Sequence, residues 1–174
     1  MSPILNIAQL GDPILRQPAQ PIEDIHDLTI QTLIDNLLIT LTQKHGVGLA
    51  APQVSQPYQL LIVASHPNAR YPQAPEMEPT ALLNPHLVAH SDEVVSGWEG
   101  CLSVPGLRGL VPRYRAIEVE YTDRQGHFHR QQFTEFIARI FQHEYDHLEG
   151  LVFLDRIENN RHLMTDQEYL KQIV

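Results

Sequence analysis

The chain has 174 residues, of which 43% are hydrophobic, so it is long enough to bury a core without disulfide bonds. Lys and Arg total 12 against 21 Asp and Glu, and the formal net charge of -9 argues against sequence-independent binding to nucleic acid. Cys101 is the only cysteine, which excludes an intrachain disulfide and favours a reducing compartment. The N-terminus lacks the pattern of a signal peptide, and no stretch reaches the roughly 18 apolar residues of a membrane span. We therefore expect a single domain over residues 1–174, with no membrane association and a cytoplasmic location.

The first predicted element is an amphipathic helix. Its apolar residues recur at the i, i+3, i+4, i+7, i+8 and i+11 positions of one helix face, namely Ile30, Leu33, Ile34, Leu37, Leu38 and Leu41. We expect Gly46 to end this helix as a C-terminal cap. The segment that follows, GVGLAAPQV, contains two glycines and a proline and is typical of a loop that comes close to another group.

The middle of the chain is expected to form strands around an exposed excursion. Residues 59–64 form a short apolar run and are predicted to be a strand. The proline-rich segment HPNARYPQAPEMEP indicates an exposed excursion, and a strand pair is predicted over residues 81–95.

The C-terminal half begins with a predicted hairpin. Ile117, Val119 and Tyr121 alternate with polar residues, which is the period of a half-buried strand, and residues 123–126 supply a turn. The returning strand is expected to end near Phe133, and a helix should follow Thr134 and end at Gly150. With a short final helix predicted from TDQEYLKQIV, the fold class is α+β, with antiparallel sheets around a central helix that carries the sequence HEYDH.

HEYDH has the spacing of a metal site. His143 and His147 are four residues apart, so on a helix both side chains can bind one metal ion, while the adjacent Glu144 can reach a water molecule as a general base. Phe136 and Ile140 share the same helix stripe, which predicts that the histidines face the interior. Accidental spacing and ordinary hydrogen-bonded core histidines are the alternatives, and metal binding explains the pair better. The other eight histidines lack comparable spacing and are interpreted as surface or loop residues.

A catalytic metal site needs a third protein ligand. The pattern HExxHxxGxxH of one metalloprotease family is excluded, because Phe153 occupies its third histidine position. A glutamate-type zinc protease would use Glu168, and Cys101 is the competing ligand. A metal-stabilised binding module without catalysis is a third alternative.

Three segments of the chain together resemble the signature segments of the peptide deformylase family. GVGLAAPQ, EGCLS and HEYDH occur in the family's order, and the resemblance extends from QLGDPILR near the start to FLDRI after the last segment. It implies a metal-dependent hydrolase that removes the N-terminal formyl group from formyl-methionine of newly synthesised polypeptides and releases formate.

The resemblance also implies the site residues. The metal ligands would be Cys101, His143 and His147, holding one Fe2+ per chain at a site that Zn2+, Ni2+ or Co2+ can also occupy. Glu144 would be the general base, with the Gln53 amide and the Leu102 backbone N–H stabilising the oxyanion. Residues expected to bind substrate are Gly46, Val47, Gly48, Gly100, Phe136 and Ile140.

Further expectations concern the surroundings of the site and the partners. Glu99 and Arg113 could form a bracing ion pair, and Asp146 would either orient a ligand histidine or lie on the helix surface. The implied partners are N-formyl-Met nascent peptides and, transiently, the ribosome, without direct recognition of nucleic acid. The C-terminal segment is short and mildly acidic, unlike the longer basic helix shared by some bacterial members, which argues against ribosome docking through that element.

Overall fold

The computed structural model describes residues 4–68 and 71–173. Its α-helices within these ranges are α1 (Leu28–Gln43), α2 (Glu135–Leu148) and α3 (Asp166–Ile173). The strands are β1 (Gly48–Ala50), β2 (Leu60–Ser65), β3 (Met77–His90), β4 (Val94–Cys101), β5 (Val104–Tyr114), β6 (Ala116–Thr122), β7 (Phe128–Thr134) and β8 (Leu163–Thr165). They form two antiparallel sheets, one in the order β1-β2-β3-β6-β7 and the other in the order β4-β5-β8. The predicted α+β class is confirmed.

Helix α2 lies between the sheets. It contacts β1, β2, β6 and β7 of the larger sheet and β5 of the smaller one. Ala138 and Phe141 on this helix are fully buried, and its sequence includes His143 and His147. No helix in the described part of the chain is long and apolar enough to cross a membrane.

Helix α1 forms from the predicted apolar stripe. Five of its six residues are buried, and Leu38 is partly buried against the same core cluster. The helix begins after Asp27, whose side chain accepts a hydrogen bond from the Thr29 N–H at 2.7 Å.

The predicted C-terminal cap at Gly46 is wrong. Lys44 is the C-cap, and the next residue, His45, adopts the left-handed conformation with φ 51°. The Gly46 N–H then bonds to the Leu41 carbonyl at 3.1 Å, which closes the helix end. Glycine at residue 46 meets a packing need instead, because a Cβ atom there would lie 2.6 Å from Leu41 Cδ1.

Two other predictions need correction. The segment at residues 46–54 is not all loop, since it contains β1 and a 3-10 turn over Ala51–Val54. The strands predicted as a pair over residues 81–95 lie in different sheets, because β3 pairs with β2 and β6 whereas β4 pairs with β5. The residue pattern of a strand reflects its burial, whereas its pairing partner depends on how the chain is routed between the sheets.

The predicted excursion ends at Glu76, and β3 begins at the next residue. Residues 69 and 70 of this segment lie outside the described residues.

The hairpin and the two helices predicted after residue 115 are present, and the short strand β8 before the final helix was not predicted. The β6–β7 hairpin has the expected alternation, with Ile117, Val119 and Tyr121 buried. Thr134 directly precedes α2, although its side chain makes no capping hydrogen bond. Gly150, at φ 75°, follows the end of α2, and the predicted final helix is present as α3.

Candidate metal centre and active site

A cysteine and two histidines meet where β4 approaches α2. The potential ligand atoms of Cys101, His143 and His147 all lie within 4.8 Å of one another, and the Cys101 Sγ to His147 Nε2 distance is 3.4 Å. Within the described ranges, this is the one group of His, Cys, Asp or Glu side chains with that mutual spacing. Cys101, the last residue of β4, thus meets two histidines on one face of α2 that lie more than 40 positions further along the chain.

Cys101 is therefore the third member of the cluster, and Glu168 does not belong to it. The Glu168 side chain on α3 is 58% exposed, and its Oε1 accepts a hydrogen bond from Lys171 Nζ at 2.7 Å. Phe153, which occupies the third histidine position of the excluded metalloprotease pattern, stacks its ring on His143.

The chemistry of the cluster fits a metal ion. One thiol and two imidazoles suit Zn2+ and Fe2+. The His143 Nδ1 lies 2.9 Å from Glu99 Oε2, which leaves its Nε2 for a metal. Burial, followed by the positive charge of His143, holds the pKa of His147 well below its usual range, and a neutral imidazole is the form that binds metal.

Glu144 lies beside the cluster without belonging to it. The side chain is 4% exposed, and its Oε2 is buried with no hydrogen-bond partner in the described protein. Burial raises the pKa of Glu144 to about 7, although the charge of His143 acts in the opposite direction. The carboxylate packs against β1 at Gly48, where the absence of a side chain leaves space for it.

Gln53 presents its amide to the sulfur atom. The Oε1 accepts a hydrogen bond from the Ala50 N–H at 2.9 Å, which fixes the amide orientation. Its Nε2 then donates toward Cys101 Sγ at 3.4 Å and Ser103 Oγ at 3.2 Å. Gln53 therefore braces the turn that follows β1 and also places an N–H group at the cluster.

A cleft opens onto these side chains. Every residue of the sequence-predicted site except His147 lines it: Gly46, Val47, Gly48, Gln53, Gly100, Cys101, Leu102, Phe136, Ile140, His143 and Glu144. His147 lies just beneath, fully buried. Since β1 and β4 each end a sheet in the described strand order, the cleft runs between two sheet edges.

Four lining residues were missed by the sequence analysis, namely His45, Tyr71, Arg108 and Arg139. The sequence could have indicated Arg139, because this residue lies one helical turn before His143 on the same helix face. Arg108 follows the EGCLS segment and occupies the space above Gly100, where a Cβ atom would lie 2.7 Å from its Cζ. Tyr71 falls within the excursion and had no pattern to mark it.

Glu99 connects the cluster to two arginine side chains. Its carboxylate accepts two hydrogen bonds from Arg113 at 2.9 and 3.0 Å and one from Arg139 at 2.9 Å, besides its contact with His143. The ion pair expected between Glu99 and Arg113 is thus present and buried. Burial alone would raise the pKa of Glu99, but the charge of Arg113 and the hydrogen bond from His143 hold it well below its usual range.

Asp146 differs from both alternatives considered for it. It is 3% exposed, so it is not a surface carboxylate, and it bonds to Arg113 and Arg156 instead of a ligand histidine. Contacts through Arg113 and Glu99 link Asp146 to His143.

Comparisons with known proteins identify the family of the chain. A sequence profile of the polypeptide deformylase family matches residues 4–162. Peptide deformylase 2 of a Nostoc species is 63% identical over 166 residues, covering 95% of this chain and 93% of the relative. The structure of the class I type b enzyme from Acinetobacter baumannii with Met-Ala-Ser bound has a TM-score of 0.88 and 43% identity, covering 90% of this chain and all of that one. The Synechococcus elongatus enzyme in complex with actinonin has a TM-score of 0.80 and 34% identity, covering 99% of this chain and 84% of that one. The chain belongs to the polypeptide deformylase family.

Proposed function

We propose that this protein removes the formyl group from the N-terminal formyl-methionine of nascent polypeptides, using the Cys101, His143 and His147 cluster as its metal centre. Family membership makes it a metal-dependent hydrolase of protein biosynthesis. The observation that carries the residue assignment is the cluster itself, with an unpartnered buried Glu144 oxygen next to it.

Fe2+ is the metal we propose, at one ion per chain, with Zn2+, Ni2+ and Co2+ as alternative occupants. A bound divalent ion would act as a Lewis acid that polarises the formyl carbonyl and lowers the pKa of a water molecule. The Cys101 thiolate and the two imidazoles would hold it as protein ligands, and His143 would give up its proton as the ion binds.

Glu144 moves the proton. Its buried carboxylate would accept a proton from the attacking water, and the resulting hydroxide oxygen adds to the formyl carbon. The same carboxyl group would then return the proton to the amine nitrogen as the C–N bond breaks, which releases formate and the free N-terminus. The enclosed position of Glu144 favours this role, because few other groups compete for its oxygen.

Gln53 and Leu102 would stabilise the negative charge on the formyl oxygen. The Gln53 Nε2 is already aimed at the cluster by the Ala50 N–H, and Leu102 follows Cys101 directly on the wall of the cleft. Donors fixed before the reaction lower the barrier, because they need no reorientation as charge develops.

The substrate would bind as an extended strand between β1 and β4. Backbone groups near Gly46, Val47, Gly48 and Gly100 would pair with the peptide, as in strand addition to a sheet edge. Phe136 and Ile140 would contact the methionine side chain. The Met-Ala-Ser peptide bound to the Acinetobacter relative supports methionine as the first residue.

One comparison tests the ligand assignment. Parent, Cys101→Ser and Glu168→Ala are purified without oxygen, and metal per chain and hydrolysis of a formyl-Met peptide are measured. We expect Cys101→Ser to lose most of its metal and activity, because an alcohol is a far poorer anionic ligand than a thiol, whereas Glu168→Ala keeps both. Equal metal retention in Cys101→Ser would remove the cysteine from the centre.

A second comparison tests the metal. Protein loaded with Fe2+ should lose activity in air, as the ion and the thiolate oxidise, whereas Ni2+ or Co2+ protein should stay active. Equal stability of the three forms in air would argue against iron as the working ion.

The remaining parts of the proposal concern context. We place the enzyme in the cytoplasm, where nascent chains are formed, and assign residues 1–174 to one catalytic domain because both sheets pack on α2. Transient contact with the ribosome stays a prediction, and the acidic net charge gives no support for direct recognition of nucleic acid.

A further inference from the structure

A second group of potential metal ligands lies at the tip of the β6–β7 hairpin. Asp123 follows β6, and His127 and His129 lie at alternate positions where β7 begins. The Asp123 Oδ2 is 2.7 Å from His129 Nε2 and 3.2 Å from His127 Nδ1. One carboxylate oxygen is thus shared by two imidazole rings, at the opposite end of β7 from the helix that carries the catalytic cluster.

We propose that Asp123, His127 and His129 form a second site for a divalent transition metal ion of the Zn2+ class. Two imidazoles and one carboxylate are ligands that zinc accepts, with an open position for water or a further side chain. His127 directly precedes β7 and His129 lies within it, and both rings contact the same carboxylate oxygen, which is the arrangement that allows two histidines to bind one ion.

The carboxylate is already oriented for this role. Asp123 Oδ1 accepts hydrogen bonds from the backbone N–H groups of Gln125 and His127, both at 2.9 Å. The backbone therefore occupies one oxygen and turns the other toward the imidazoles. Stacking of the His129 ring on Tyr121, with centroids 5.0 Å apart, fixes the second ligand.

The turn is attached to α1. Arg124 donates to Asp35 Oδ1 at 2.9 Å, and its carbonyl accepts a hydrogen bond from Gln31 Nε2 at 3.0 Å. These contacts direct the positive charge of Arg124 to the helix and away from the histidines.

The same docking brings a third histidine to the turn. A Cβ atom added to Gly126 would lie 3.1 Å from His26 Nε2, so glycine leaves room for that ring. His26 is exposed and is a candidate fourth ligand.

Metal binding requires one modest rearrangement. The ring nitrogens of His127 and His129 flank the shared oxygen and do not meet the 4.8 Å mutual spacing of the catalytic cluster. The His127 side chain is 73% exposed, so its ring can turn toward a common centre without displacing core residues. A metal ion would replace the two N–H···O contacts with shorter bonds of about 2.0 to 2.2 Å.

The test uses the holoenzyme with its catalytic site filled. Parent, His127→Gln and His129→Gln are dialysed against Zn2+, and metal per chain is counted before and after, with His86→Gln as the matched control because His86 is an exposed histidine on β3. We expect one additional Zn2+ in the parent and in His86→Gln. Each hairpin variant should bind the additional ion more than about tenfold more weakly, because it lacks one ligand.

Thermal unfolding provides an independent readout. Added Zn2+ should raise the Tm of the holoenzyme and of His86→Gln, but not of His129→Gln, because an ion that binds only the folded state stabilises it. Turnover of a formyl-Met peptide should be equal in all four proteins. No additional ion in the parent, retention of that ion by both hairpin variants, or its equal loss in His86→Gln would each overturn the proposal.

Discussion

Gly48 lies directly against the Glu144 carboxylate. A Cβ atom added at residue 48 would overlap Oε1 and come within 2.7 Å of the Cγ and Cδ atoms of Glu144. The close approach of β1 to α2 therefore depends on the absence of a side chain at this position. We expect the peptide to pair with the same strand edge. Gly48 would therefore both leave space for the general base and contact the substrate.

Gly48→Ala should consequently impair catalysis without removing the metal. The added methyl group must push either the carboxylate or the strand aside, and a displacement of about 1 Å at a reacting group can cost roughly a hundredfold in rate. Metal per chain and kcat for a formyl-Met peptide are the measurements. Full activity in a metal-loaded, folded Gly48→Ala protein would contradict the close contact.

Glu144→Gln should retain its metal and lose most of its activity. The amide keeps the shape of the side chain but cannot accept the proton, and general acid–base catalysis contributes about 10²–10⁴-fold. Glu149→Gln is the matched control, because Glu149 is an exposed residue just beyond the same helix, and it should be fully active. Near-normal turnover in Glu144→Gln would refute the proton-transfer role.

Gln53→Glu separates the contact of the side-chain oxygen with Ala50 from the contacts made by the side-chain N–H group. A carboxylate can still accept the Ala50 N–H, which preserves the turn, but it has no N–H group to offer the oxyanion. We expect kcat to fall about a hundredfold with little change in metal content. Loss of metal together with activity would instead make Gln53 structural.

The sequence is informative about this site because its main residues occur in short segments. His143, Glu144 and His147 are fixed by one helical turn, so their mutual placement follows from local geometry. The choice of Cys101 as the third ligand needed more information, because only the resemblance of EGCLS to the family favoured it over Glu168. The residue types alone left both ligands open.

Interactions between distant segments could not be predicted in the same way. The strands over residues 81–95 look like neighbours in the sequence, yet the chain passes from one sheet to the other between them. Arg108 enters the cleft only because Gly100 on β4 leaves space for its guanidinium group. These contacts depend on which strands become neighbours in the fold, and a single sequence contains no local pattern that indicates this.

The buried network around Glu99 provides a further prediction. Glu99→Gln would remove the negative charge that faces Arg113 and Arg139, and it would weaken the contact that orients His143. Metal affinity should fall about 10- to 100-fold, as is typical when a partner of a ligand histidine is changed. Competition with a chelator measures this, and Glu93→Gln, which alters an exposed ion pair with Arg115, should have no effect. Equal affinity in Glu99→Gln and parent would exclude Glu99 as a positioning residue.

The last prediction concerns pH and the start of α1. The hydrogen bond from the Thr29 backbone lowers the pKa of Asp27, and the Thr29 side chain adds to this effect. A carboxyl group whose pKa is lower in the folded than in the unfolded state contributes stability above its unfolded pKa, and this contribution is lost as the pH falls through the folded value. Asp27→Ala should therefore lower the Tm by about 2–4 °C at pH 7, as expected for a lost N-cap in a protein of this size. The difference in Tm from the parent should shrink on acidification below about pH 4, the ordinary range of an Asp side chain.

Asp92→Ala, at an exposed aspartate in the turn between β3 and β4, controls for the change in net charge and should follow the parent at every pH. A Tm difference between Asp27→Ala and the parent that stays constant down to pH 3 would show that the charge of Asp27 contributes nothing to the cap.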